Sequence, residues 1–111
     1  MCIFCQIVNK EIPAELVFTD DLLVVIKDIN PKAPIHLLLI PKKHLKSVAQ
    51  MTEEDIELIG RLFYRAKLLA QENGIAESGY KLVINNGRDG GQAIDHLHLH
   101  LLGGARLEGV A

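Results

Sequence analysis

The chain has 111 residues and a mass of 12.3 kDa, which allows one domain and leaves no room for a second independent core. Its 49% hydrophobic and 23% charged residues, with a mean hydropathy of +0.18, exclude an intrinsically disordered chain. Twelve basic against fourteen acidic side chains leave a net charge of −2, which disfavours nucleic acid or an anionic membrane as a broad partner. No apolar run is longer than Leu37 to Pro41, which is far short of the roughly 20 residues of a spanning helix. The N-terminus shows no basic region followed by a long apolar stretch, so the cytoplasm is the expected compartment.

In chain order, Gln6 to Lys10 could form one helical turn, ended by Glu11-Ile12-Pro13. Leu16-Val17-Phe18 and Leu22 to Ile26 flank the polar Thr19-Asp20-Asp21, which predicts a hairpin. Asn30-Pro31 and Ala33-Pro34 interrupt any ladder, and a third strand is predicted over Ile35 to Ile40. Thr52 followed by Glu53-Glu54-Asp55 is a helix start, and Ile56, Ile59, Phe63, Ala66 and Ala70 recur at helical spacing. Asn73-Gly74 stops that helix. Tyr80 to Ile84 is a fourth strand, Asn85 to Gln92 a Gly-rich loop, and Ile94 to Leu102 a fifth strand. One long helix among strands joined mostly by short turns predicts an α+β fold with an antiparallel five-stranded sheet in a single domain over residues 1–111.

Three of the five histidines fall in Asp95-His96-Leu97-His98-Leu99-His100-Leu101-Leu102. On a strand, His96, His98 and His100 would share one face, about 6.6 Å apart, and the leucines the other. Mutual repulsion would keep at least one imidazole neutral, available as a nucleophile or base. Upstream, Asn85-Asn86-Gly87-Arg88-Asp89-Gly90-Gly91-Gln92 reads as an anion cradle whose backbone amides could approach a phosphate next to His98. An ordinary turn is the competing reading. Cys2 and Cys5 form a C-x-x-C pair at the start of the chain, outside the strand-to-helix context of a redox motif. Zinc is the better reading, with His36, His44, His96 and His100 as candidates for the other two ligands.

His-Leu-His-Leu-His-Leu-Leu resembles the histidine triad signature. Ile3-Phe4-Cys5, Glu11-Ile12-Pro13, Asp28-Ile29-Asn30-Pro31, Ala33-Pro34-Ile35-His36, Ile40-Pro41-Lys42-Lys43-His44, Asp89-Gly90-Gly91-Gln92 and Leu102-Gly103-Gly104 extend the resemblance to the Hint branch, the nucleoside phosphoramidate hydrolases, over nearly the whole chain. The resemblance implies the histidine triad fold: a five-stranded antiparallel sheet, one long helix and a short N-terminal helix. It implies that His98 attacks the α-phosphorus of a purine nucleotide and carries a nucleotidyl intermediate. His100 and Asn85 would contact the phosphate, with His36 and His96 completing the active-site histidines. Gly91 and Gln92 would line the phosphate loop, Asp28 and Ile29 would hold the ribose, and Phe4, Ile7 and Ile26 the base; plain core is the competing reading for those three. It also implies a closed structural zinc site of Cys2, Cys5, His44 and His96.

Two residues depart from the pattern. Ala93 stands where Hint proteins commonly have a serine whose hydroxyl bonds the phosphate or the leaving-group bridge. Asp95 replaces an aromatic or amide residue before the triad and tends to favour charged histidines. A zinc-dependent hydrolase using His96 and His98, and a nucleotide-binding or interaction module with weak turnover, are the alternatives. The family also implies a homodimer, and Leu58, Leu62 and Leu69 widen the apolar stripe of the long helix beyond what one sheet requires.

Overall fold

A computed structural model describes residues 2–109. Five strands, β1 (Leu16–Thr19), β2 (Leu23–Lys27), β3 (Ile35–Pro41), β4 (Tyr80–Val83) and β5 (Leu99–Gly103), form one sheet in the order β1-β2-β3-β5-β4. Every pairing is antiparallel. The helices are α1 (Ile3–Val8) and α2 (Ile56–Glu72). No helix among the described residues is long and apolar enough to cross a membrane.

The apolar run of β3 is explained by its central place, where both faces are covered. Leu37 and Leu39 point with Leu23, Val25, Leu99 and Leu101 into the core beneath α2. Leu38 and Ile40 point the other way, with Val24, Ile26 and Phe4, into a second core closed by α1. Register then fixes the working surface: Ile26 pairs Leu38, Leu38 pairs His100 and Val83 pairs His100, so these side chains share the α1 face. In the next row His36 pairs Leu102, and Leu102 pairs Lys81.

Three expectations are corrected. The N-terminal helix begins at Ile3 because Cys2 caps it, its sulfur accepting from the Cys5 amide at 3.4 Å, and it ends before Lys10, whose φ is 60°. In α2 the sheet-facing stripe is Leu58, Leu62, Ala66, Leu69 and Ala70; Ile56 and Phe63 are 64% and 41% exposed. The leucines counted as surplus are therefore the core, and helical spacing alone could not choose between two apolar stripes. The α2 start behaves as its sequence predicts: Asp55 Oδ2 accepts from the Thr52 amide at 2.9 Å and the Thr52 hydroxyl from Glu54 at 3.3 Å, although the first turn is a 3-10 turn. Finally, β5 begins at Leu99, five residues later than predicted by hydrophobic alternation from Ile94. The His96 amide donates to Ile94 O at 2.8 Å and the Leu97 amide to Leu45 O at 2.7 Å, so 94–98 runs as a bent segment.

Candidate active site

That bend sends the histidine rings to different places. His100 stays on the sheet face, and the His98 ring lies beside it with centroids 4.9 Å apart. His96 turns away toward the N-terminus, its ring 4.7 Å from that of His44. Phe4, 3% exposed, stands edge-on to both His98 and His96, at 5.0 and 5.9 Å.

The protonation of His36, His96 and His98 follows from a backbone partner. His98 Nδ1–H donates to the His96 carbonyl at 2.7 Å, which leaves Nε2 with its lone pair bare. His96 Nε2–H donates to the Pro41 carbonyl at 2.8 Å, so its bare nitrogen is Nδ1. His36 is fixed in the same sense, because its Nδ1 accepts from the Lys32 amide at 3.0 Å. Its proton therefore sits on Nε2, which lies 2.9 Å from His100 Nδ1 and 3.4 Å from Asp28 Oδ2. His100 Nδ1 accepts that hydrogen bond, so His100 carries its own proton on Nε2. The face thus presents one lone pair, at His98, beside one donor, at His100.

Burial lowers the pKa of His36, against the opposing charge of Asp28. His100 is lowered to about 4, by burial first and then by the repulsion of His98 and His36. Both remain neutral near pH 7, as the hydrogen bonds between them require.

The sulfurs of Cys2 and Cys5 and the Nδ1 atoms of His44 and His96 all lie within 4.8 Å of one another. Cys2 and Cys5 sulfur to His96 Nδ1 measure 3.4 and 3.6 Å, Cys5 sulfur to His44 Nδ1 3.1 Å, and the two nitrogens 3.0 Å. A tetrahedral zinc with ordinary bond lengths needs sulfur–nitrogen edges of about 3.5 Å. The set fits, and the Pro41 carbonyl already points the correct nitrogen of His96 at it. Asp28, His36 and His100 also bring three donor atoms together, but there the Lys32 amide places the proton on the very nitrogen a metal would need. That second cluster is a hydrogen-bond network.

The glycine loop differs from the expected cradle. The amides of Gly90, Gly91 and Gln92 donate to Gly87 O, Arg88 O and Gly87 O, so they are consumed within the loop. Gln92 is consumed too: its Oε1 accepts from Gly87, and its Nε2 donates to the carbonyls of Lys46 and Ile94. Gly91 at φ 79° permits the turn, and a Cβ on Gly90 would stand 2.4 Å from Asn86 O. Asn85 donates to Gly90 O at 2.7 Å and lines a 270 Å³ cavity with Asp28, Lys32, His36, Lys81 and His100. Of the residues expected at the base, Phe4 and Ile26 are buried in the second core and Ile7 packs against it. Ile29, expected at the ribose, is 92% exposed. Ala93 and Asp95 are exposed.

The roles of Lys32 and Pro41 escaped the sequence because they act through backbone atoms.

The family described as scavenger mRNA decapping enzyme C-term binding matches residues 1–108. The adenylylsulfatase HINT1 of Arabidopsis thaliana is 45% identical, over 95% of this chain and 72% of its own. The purine nucleoside phosphoramidase of Escherichia coli is 43% identical, over 95% and 88%. The chain belongs to the histidine triad family and is Hint-like. Among solved structures, a histidine triad family hydrolase of Legionella pneumophila superposes with a TM-score of 0.96 at 47% identity, covering 97% of this chain and 96% of that one. A zinc-bound histidine triad family protein of Mycobacterium smegmatis gives 0.78 at 32% identity, over 91% and 73%.

Proposed function

We propose that this histidine triad protein is a nucleotide hydrolase that cleaves purine nucleoside 5′-phosphoramidates or related adenylates through a nucleotidyl-His98 intermediate. The observation that carries the reading is the 2.7 Å bond from His98 Nδ1–H to the His96 carbonyl. It assigns the Nδ1–H tautomer, in which Nε2 is bare, and the same carbonyl stabilises the positive charge that develops as Nε2 bonds to phosphorus. His100 Nε2–H and the Asn85 amide face the phosphoryl oxygens, and His36 holds His100 in its donor form. Asp28 and Ile29 take the ribose, and the Ile7 side of α1, backed by Phe4 and Ile26, takes the base. Gly91 and Gln92 shape the loop.

Cys2, Cys5, His44 and His96 hold a structural zinc in this reading. The ion would supply a rigid tie between the N-terminus and the catalytic segment, and a four-ligand site has no open position for water. His98 is outside that set, which weighs against a zinc-activated water. The free thiols suit a reducing, cytoplasmic compartment. A homodimer accounts for the exposed Ile56, Phe63 and Tyr64 of α2 and for the unpaired edge of β4.

Mass spectrometry of protein acid-quenched during turnover of adenosine 5′-phosphoramidate tests the mechanism. An adenylyl adduct on the peptide holding His98 is the expected result. Turnover without any adduct, in a His98→Ala variant as in the wild type, would overturn it.

A further inference from the structure

Gln92, half-buried at the end of the glycine loop, spends its side-chain amide on three backbone partners. Its Oε1 accepts from the Gly87 amide at 2.8 Å. Its Nε2, which has two hydrogens to give, donates to the carbonyls of Lys46 at 2.6 Å and Ile94 at 2.9 Å. The reversed orientation would set the amide oxygen against two carbonyls and the NH2 against an N–H, so these partners fix which way the amide faces. No hydrogen of the side chain is left to offer a phosphate.

The two carbonyls stand symmetrically about a pair of histidines. Lys46 lies two residues after His44, and Ile94 two residues before His96. Ile94 O also accepts from the His96 amide at 2.8 Å, which closes a three-residue γ-turn over the exposed Asp95. Beside it, the Leu97 amide donates to Leu45 O at 2.7 Å. Gln92 therefore ties the 44–46 segment to the turn that aims His96. The His96 carbonyl leaving this turn is the one that receives His98 Nδ1–H at 2.7 Å. A γ-turn closed by one hydrogen bond has little stiffness of its own, and the second bond to Ile94 O comes from Gln92.

We infer that Gln92 is a positioning residue for the nucleophile: by clamping the Ile94 carbonyl to the Lys46 carbonyl, it holds the turn from which the His96 carbonyl sets the tautomer and direction of His98. It acts through Ile94 and His96 and touches no reacting atom. Shaping the glycine loop would require only the Oε1 bond to Gly87; the two Nε2 bonds lead elsewhere, to the segments that carry the histidines.

The assignment rests on His98 as the attacking group, and the test judges it apart from that reading. Gln92→Glu keeps the length of the side chain and an acceptor for Gly87 but has no hydrogens for the two carbonyls. Nitrogen NMR of His98 should show the proton on Nδ1 in the wild type and a mixture of tautomers in the variant. With adenosine 5′-phosphoramidate, kcat should fall about ten- to a hundredfold, the scale of loss when a reacting group moves by about 1 Å, while KM stays within about twofold. A single His98 tautomer in folded Gln92→Glu protein overturns the assignment, whichever of kcat and KM has moved. Should the variant not fold, the wild-type Gln92 NH2 group answers instead: its hydrogens should exchange with solvent far more slowly than those of an exposed amide, and free exchange overturns the clamp. Wild-type turnover without an adenylyl adduct on His98 overturns the proposed function, and the NMR result still decides whether Gln92 sets the ring.

Discussion

His98 Nδ1 and the His96 carbonyl oxygen lie 2.7 Å apart, and through that bond one residue does two things: the His96 side chain joins the cysteine cluster while its backbone fixes the tautomer of His98. Replacing His98 with Ala should therefore abolish hydrolysis while keeping nucleotide binding by Asp28, Asn85 and His100. Steady-state kinetics decides this. Activity within tenfold of wild type, a loss below about 1.4 kcal/mol, would remove His98 from the nucleophile's role.

The cluster of Cys2, Cys5, His44 and His96 should hold one zinc per chain, measurable by elemental analysis of protein purified without added metal. Chelation should lower the melting temperature, because ligand that binds only the native state adds its binding free energy to folding. Catalysis should fall only in so far as the His96 segment, and with it His98, loses its position. Metal-free protein that melts at the same temperature would contradict a structural site.

His36→Phe should keep the buried volume but remove the donor 2.9 Å from His100 Nδ1, so that His100 samples both tautomers. The expected loss is about tenfold in kcat, of the size of one lost hydrogen bond near a charge, with little change in KM. Nitrogen NMR should show His100 protonated at Nε2 in the wild type and mixed in the variant. An unmixed His100 in the variant would show that His36 does not set its tautomer.

Acid should weaken the fold through the same pair. His36 and His100 have lowered pKa values in the native state, that of His100 about 4, so between pH 6.5 and about 4 the unfolded chain binds protons that the native chain refuses. Stability from these two groups is thus fully present above the unfolded value near 6.5 and is lost as pH falls toward 4. Urea midpoints measured across that range check the sign. Constant stability would mean that the two rings are not held neutral.

Light scattering at micromolar concentration should give twice the 12.3 kDa chain mass. Phe63→Lys, on the exposed stripe of α2, should shift it to monomer with the fold intact, whereas Leu62→Ala, at a site of 0% exposure, should cost about 2–5 kcal/mol of stability. A wild-type monomer would leave the exposed stripe unexplained by self-association.

The sequence by itself determined the fold class, most strand positions, the start and stop of α2 and the grouping of histidines and cysteines, because each of these depends on local periodicity, capping chemistry or spacing. Alternation could not show that β5 starts only at Leu99, since the Leu97 amide leaves the ladder for Leu45, a partner 52 positions earlier in the chain. Nor could it tell which stripe of α2 faces the sheet, because Ile56 and Phe63 are as apolar as Leu58 and Leu62 until the sheet is in place. Tertiary structure alone decided which nitrogen of His36, His96 and His98 is bare. That choice is made by the carbonyls of Pro41 and His96 and the amide of Lys32, backbone atoms that every sequence possesses and only a fold can aim.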